Sequence, residues 1–277
     1  MRLKLAIKQL LPNYLVVTLR QIHYLVRGIY YWGGKYQCLC CETHIRRFIS
    51  GGVIPRPHAQ CPRCGSLERH RLLFLYLQQK TDFFNQHLRV LDVAPTYYLQ
   101  QKFRQYPHLD YLSSSLDDPW AMTHINIMAI PIPDNHFDCI LYYHVLEHVA
   151  DDIQAMKELY RVLKPEGWAI LQSPVEMSRE TTMEDPRTTT PEARRDLFGQ
   201  DDHLRIYGRD YIERLKKAGF SVTPDLFVQQ LPEKTIEKFG LIKKEELFLW
   251  KKIFYFLMTA TLPITLCEPF SVNAAIK

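Results

Sequence analysis

Five of the seven cysteines fall between positions 38 and 64, and two pairs among them have the spacing of a metal clamp. "CLCC" sets Cys38 three residues before Cys41, and "CPRC" sets Cys61 three before Cys64. Each C-x-x-C places two thiolates on one tight turn. Two such turns about twenty residues apart complete the tetrahedral sulfur shell that zinc prefers. Four thiolates leave no open position, so the ion is expected to be structural, and Cys40 is the spare thiol. A second group of residues has types suited to proton transfer: His144, Glu147 and His148 in "HVLEHV", and His203 with Arg205 in "DDHLRIYG". Asp92 stands in "VLDVAP", where a strand-like run meets Ala94-Pro95 with no glycine.

These residues need elements to hold them. From Arg89 onward, buried strand-like runs alternate with helical ones. "RVLDVA", "LDYLSSSL", "HINIM", "FDCILYYHV" and "WAILQSP" read as five successive strands. Helices follow over "YLQQKFRQY", from about Asp151 to Leu163, and over "RDYIERLKKAGF", and "ELFLWKK" reads as a last strand. Such alternation predicts an α/β fold, a doubly wound parallel sheet with helices on both faces. Asp151 and Asp152 suit a first helical turn, and Lys164-Pro165 with Gly167 suits a stop. Residues 176–208 are polar and read as an excursion from the sheet.

The organisation expected is a helical arm over 1–35, a zinc ribbon over 36–70, the sheet domain over 71–252 and an apolar tail over 253–277. The arm carries six basic residues before the first acid, Glu42, and Leu15, Leu19, Ile22, Val26 and Ile29 recur at helical spacing. That stripe either packs on the main domain or lies at an anionic membrane surface, with Tyr30, Tyr31 and Trp32 as interfacial anchors over 1–32. Neither the arm nor the tail is long and clean enough to cross a bilayer. No cleavable export signal is evident, which points to a cytoplasmic, thiol-reducing setting, with peripheral contact at the inner membrane face if the arm binds lipid. A net charge of +5 and a pI near 8.7 are too weak to argue for nucleic acid.

"PIPDNHFDCILYYHVLEHVADDIQAMKELYRVLKPEGWAIL" resembles the second half of a class I S-adenosylmethionine-dependent methyltransferase of type 11. With "CPRCGSLERHR" and "FGQDDHLRIYG", the chain is similar to a subgroup carrying a zinc ribbon before a Rossmann-like catalytic domain. The absence of G-x-G-x-x-G after the first strand disfavours a dehydrogenase. The resemblance implies S-adenosylmethionine as cofactor and assigns its contacts. Asp92 takes the place of the acidic strand residue, and Ala94 and Pro95 replace the glycine turn. Ser115 and Leu116 stand where an acid binds the ribose. Asn126 and Ile127 replace Asp-Ile beside the adenine, and Tyr143 and His144 close over the cofactor. Because insertions after the fifth strand cover the pocket in this fold, His203 is the expected general base and Arg205 the expected grip on an acidic substrate group. His144 is expected to face the pocket.

No Asn/Asp-Pro-Pro-Tyr/Phe follows the fourth strand, so the resemblance favours methyl transfer to oxygen of a small-molecule, sugar or lipid-linked acceptor. RNA base methylation through the basic ribbon, and a catalytically silent binding module, stand as alternatives. Oligomeric state is not addressed by the sequence.

Overall fold

In the computed structural model the described residues are 13–53, 55–225, 227–243 and 247–252. The expectations for residues 1–12 and for the 253–277 tail lie outside them. A long helix, α1 (Asn13–Tyr30), is followed by two small antiparallel hairpins, β1 (Trp32–Gln37) with β2 (His44–Ile45) and β3 (Ile49–Gly51) with β4 (Arg56–Gln60). Then come α2 (Glu68–Lys80), β5 (Leu88–Val93), α3 (Tyr97–Phe103), β6 (Leu109–Ser114), β7 (Phe137–Tyr143), α4 (Asp152–Val162) and β8 (Leu163–Gln172). The excursion holds β9 (Met183–Glu184), α5 (Pro191–Phe198) and β10 (Arg205–Ile206). The chain continues with α6 (Tyr211–Lys217), β11 (Ser221–Asp225), α7 (Glu233–Phe239) and β12 (Leu247–Lys251).

The main sheet has the order β11-β12-β8-β7-β5-β6. β6, β5, β7 and β8 run parallel, while β12 pairs antiparallel with both β8 and β11. This is the doubly wound sheet expected from the alternation. Its apolar strands are buried on both sides, with Val90, Leu91, Ile140, Leu141, Ala169 and Ile170 at most 1% exposed. Asp151, expected in the first turn, instead caps α4 by accepting the amide of Gln154 at 2.9 Å.

The expected third strand, "HINIM", does not form. Thr123 makes one parallel bridge to Ser114, and the chain beyond it stays irregular. The reason lies in the serines. Ser113 Oγ accepts the amide of Met122 and Ser114 Oγ that of Ile125, so side chains take donors that a strand would pair. The last strand, β12, does form, and β11 beside it was not anticipated.

The two cysteine turns are copies of one another. Cys38 N–H donates to Thr43 O, and Cys61 N–H to Ser66 O, the same five-residue step. The fifth residue of each turn is left-handed: Glu42 at φ 60° and Gly65 at φ 77°. At Gly65 a side chain is also excluded by Tyr24, whose hydroxyl would lie 2.5 Å from a Cβ. The ribbon shares one apolar core with α2 and the sheet, and α2 runs straight through the 70/71 boundary expected from sequence. Arg71 fastens this junction. Fully buried, it donates to Ala59 O and Ser66 O in the ribbon and to Phe239 O and Gly240 O at the end of α7.

The arm helix meets the rest through Gln21 against Tyr97 and Tyr24 against Gly65. Its apolar stripe does not pack on the main domain among the described residues. Leu19, Ile22, Val26 and Ile29 are each more than half exposed. No described helix is long and apolar enough to cross a membrane.

Candidate active site

Ligands of open α/β sheets sit beyond the carboxyl ends of the strands. Three connected hollows lie there. The largest, about 680 Å³, is lined by Ala94, Ser115, Leu116, Asn126, Ile127 and His144, with Asp117 and Asp118 beside them. A smaller one, about 220 Å³, is lined by Asp92, Ala94, Pro95, Tyr143 and His144, with Arg69 and His70 of α2 opposite. All nine residues expected to contact a cofactor thus line one of two adjoining spaces. The third hollow, about 550 Å³, lies between the excursion and the ribbon and contains His144, Glu147, His148, His203 and Arg205. His144 borders all three.

Local backbone explains how the loop works without glycine. Ala94 adopts a left-handed φ of 50° and donates its amide to Ser114 O at 2.7 Å, so the turn after β5 is made by alanine. That conformation costs an L-residue about 1 kcal/mol. His144, after β7, is also left-handed at φ 55°. At the second position Ser115 lacks the acid of the family pattern, but Asp118 folds back on it: Asp118 N–H donates to Ser115 Oγ at 3.3 Å. A carboxylate therefore reaches the same cleft from three residues further on. Asn126 Oδ1 accepts Met128 N–H, and the residue lines the cleft. The residues present fit a nucleoside-type donor in the larger space: carboxylates near the ribose position, apolar Ile125 and Ile127 buried, and a volume within the usual range for small-ligand sites.

Asp92 closes the inner end. It is 6% exposed and accepts the hydroxyl of Tyr111 at 2.7 Å. Burial pushes its carboxyl up to about 7, against the pull of the Tyr111 bond.

Arg205, expected to grip substrate, is used inside the protein. It is 4% exposed and donates to Leu146 O, Val149 O and Ala150 O, while its Nε holds Glu184 at 3.0 Å. It ties the excursion to the segment after β7, together with Tyr207 and Arg214, which hydrogen-bond Asp152 at 2.8 Å. The excursion does cover the third hollow, and His203 points into it from a 7% exposed position. Burial and the nearby charge of His148 hold its proton affinity below the usual histidine value. Residues that sequence reasoning did not place there are Gly52, Val53 and Arg56, at the tip of the β3–β4 hairpin. The ribbon therefore supplies one wall of the site. Glu147, grouped from its type with the residues suited to proton transfer, is a buried wall of the same hollow.

Four thiols occupy the ribbon cluster: the sulfurs of Cys38, Cys41, Cys61 and Cys64 lie within 4.8 Å of one another. Cys38 to Cys64 is 3.7 Å and Cys41 to Cys61 is 3.8 Å. Bonds of about 2.3 Å to a tetrahedral zinc require edges of about 3.8 Å. The donor set fits. Cys40, fully buried, stands outside the shell.

A methyltransferase-domain family pattern matches residues 77–171. Two curated proteins are similar over short stretches. The demethylmenaquinone methyltransferase of Listeria welshimeri is 46% identical over 46 residues, 17% of this chain and 20% of that protein. The ubiquinone/menaquinone biosynthesis C-methyltransferase UbiE of Escherichia coli O1:K1 is 50% identical over 42 residues, 15% of this chain and 17% of that one. The chain thus spans about a fifth of the length of the curated relatives it matches. Among solved structures, the YcgJ protein of Bacillus subtilis is similar, with a TM-score of 0.44 at 14% identity, over 66% of this chain and 99% of that one. Residues 77–171 thus match a methyltransferase domain, and the strand order and the hollows beyond the strand ends agree with the Rossmann-like fold of such a domain.

Proposed function

We propose that this protein transfers a methyl group from S-adenosylmethionine to an oxygen of a small-molecule or lipid-linked acceptor, with zinc as a structural ion in the four-cysteine shell. The carrying observation is that His144 is shared by the donor cleft, the Asp92 hollow and the hollow beneath the excursion. A residue so placed touches both reactants. When bound, S-adenosylmethionine supplies a methyl group on a cationic sulfur that leaves with the carbon–sulfur electron pair.

The chain's own residues do the remainder. Asp118, Asn126 and Ile127 orient the donor, and Asp92 and Tyr143 bound its inner end. His144 Nδ1 faces Glu147 at 3.4 Å, which leaves Nε2 to take the proton of the acceptor hydroxyl as that oxygen's electron pair forms the new bond to carbon. The excursion, pinned by Arg205 and Asp152, forms a wall of the hollow where the acceptor would lie. The names of the curated relatives concern quinones and support an acceptor with a lipid portion. So does the exposed apolar face of α1 with Arg20 and Arg27, which suits peripheral contact with a membrane.

Calorimetric titration of the full chain with S-adenosylmethionine tests the donor. Micromolar binding is expected, weakened about ten- to a hundredfold in Asp118→Ala by loss of a charge-assisted bond. No heat at millimolar donor overturns the reading. Incubation with methyl-labelled donor and a cell extract tests the acceptor: label should enter the organic-soluble fraction on an oxygen. Label on a ring carbon would replace the oxygen reading, and label in RNA would overturn the acceptor class.

A further inference from the structure

Beneath the excursion, Glu147, His148 and His203 each offer a ligand atom within 4.8 Å of the others. The carboxylate is the unusual member. Glu147 is 1% exposed, and neither of its oxygens has a hydrogen-bond partner. His144 Nδ1 stands 3.4 Å from one of these oxygens without completing a hydrogen bond. A buried carboxylate without donors is costly, and such groups in folded proteins are paired or bind metal.

The two imidazoles meet edge to face, 4.7 Å between ring centres. His148 Nδ1 hydrogen-bonds the backbone oxygen of Asp202 at 3.3 Å, with the Asp202 carboxylate at the same distance, which leaves Nε2 as the binding nitrogen, the outer-shell arrangement usual for a metal-binding histidine. The backbone holds the segments together: Leu204 N–H donates to Glu147 O at 2.8 Å, and Arg205 clamps the carbonyls on either side. Ligand placement therefore rests on rigid chain.

We propose that Glu147, His148 and His203 bind a divalent first-row transition-metal ion, whose open positions take the acceptor's hydroxyl oxygen. Two imidazoles and one carboxylate suit zinc, cobalt, iron or nickel better than calcium or magnesium, which favour all-oxygen shells. Three protein ligands leave coordination room, and all three residues line the 550 Å³ hollow. His148 also lines the donor cleft, so the ion stands at the boundary between the two spaces. The ion itself rests on this geometry alone, whereas its role toward the acceptor rests on the methyl-transfer reading.

The test is calorimetric titration of the full protein, loaded with one zinc per chain, with Co²⁺. Zinc already fills the thiolate shell, so uptake reports the second site. One Co²⁺ per chain is expected. Affinity should fall about a hundredfold or more in Glu147→Gln and in His148→Ala, since removing even an outer-shell partner costs ten- to a hundredfold. His148 is partly exposed, and its alanine variant keeps the test open if the Glu147 variant fails to fold. No uptake by the zinc-loaded wild type, or equal uptake by folded His148→Ala, overturns the site. Cobalt uptake without donor binding leaves the site standing and overturns methyl transfer. Donor binding without cobalt uptake does the reverse.

Discussion

Replacing Asp92 by asparagine is expected to stabilise the ligand-free protein, and to do so more strongly as pH rises. The side chain is 6% exposed at the end of β5, and burial lifts its carboxyl from 3.8 to about 7. Tyr111 on β6 donates to it at 2.7 Å, and Cys139 on β7 is a thiol kept neutral by burial. Neither neighbour supplies a positive charge. Because the folded pKa lies above the unfolded one, the folded state holds the proton more tightly. Ionising the group therefore costs nothing below the unfolded pKa, increasingly more above it, and the full amount beyond about pH 7. The gap corresponds to about 4 kcal/mol, of which roughly half is present by pH 5.5, leaving roughly 2 kcal/mol to appear between pH 5.5 and 8. Asparagine still accepts from Tyr111, so the substitution removes the charge and little else. Urea unfolding of both proteins at pH 5.5 and 8 measures the effect. The variant's advantage should widen by roughly 2 kcal/mol between these pH values. An advantage that is absent, or the same at both, refutes the assignment of a buried, proton-holding carboxyl to Asp92.

Arg71→Met keeps the apolar stem and strands four carbonyls, those of Ala59, Ser66, Phe239 and Gly240. A loss of about 4 kcal/mol or more is expected in chemical denaturation, with faster loss of metal from the ribbon to a chelator. A cost under about 1 kcal/mol would show that Arg71 does not fasten the ribbon to the sheet. Asp152→Asn removes the buried partner of Arg214 and Tyr207 and should cost about 3 kcal/mol at neutral pH. Burial pushes the Asp152 carboxyl up, but the Arg214 bond and the charges of Arg205 and Arg214 hold it below the usual range. Its contribution is therefore present above the unfolded pKa, and the wild type's advantage over the variant should shrink as pH falls below about 4.

The parts legible from sequence were those set by short-range rules. Strand runs such as "DCILYY" are buried on both faces and show as continuous apolar stretches, and the start of α4 showed in Asp151 and Asp152. The cysteine turns showed in their spacing because both ends of each clamp lie three residues apart. Other features depend on partners far along the chain. The third strand failed because serine hydroxyls on β6 compete for its amides, and periodicity does not register that competition. Arg205 looked like a substrate grip because its partners, the carbonyls of 146, 149 and 150, carry no side-chain signature. The hairpin tip at Gly52 and Val53 reaches the site only through the docking of the ribbon, which Arg71 secures from a helix that sequence reading divided between two domains.

Several features that run against local preference meet around these hollows. Ala94 and His144 adopt left-handed backbone without being glycine, Asp92 holds a proton that water would remove, and Glu147 is buried without donors. Each is unfavourable alone, and a fold selected only for stability would not collect four around connected hollows. Each is also what a bound partner would relieve. A cationic donor would favour the ionised form of Asp92, and a metal ion would satisfy Glu147. On the methyl-transfer reading the lost glycine turn after β5 need not mean a lost site: alanine makes the turn at a cost of about 1 kcal/mol.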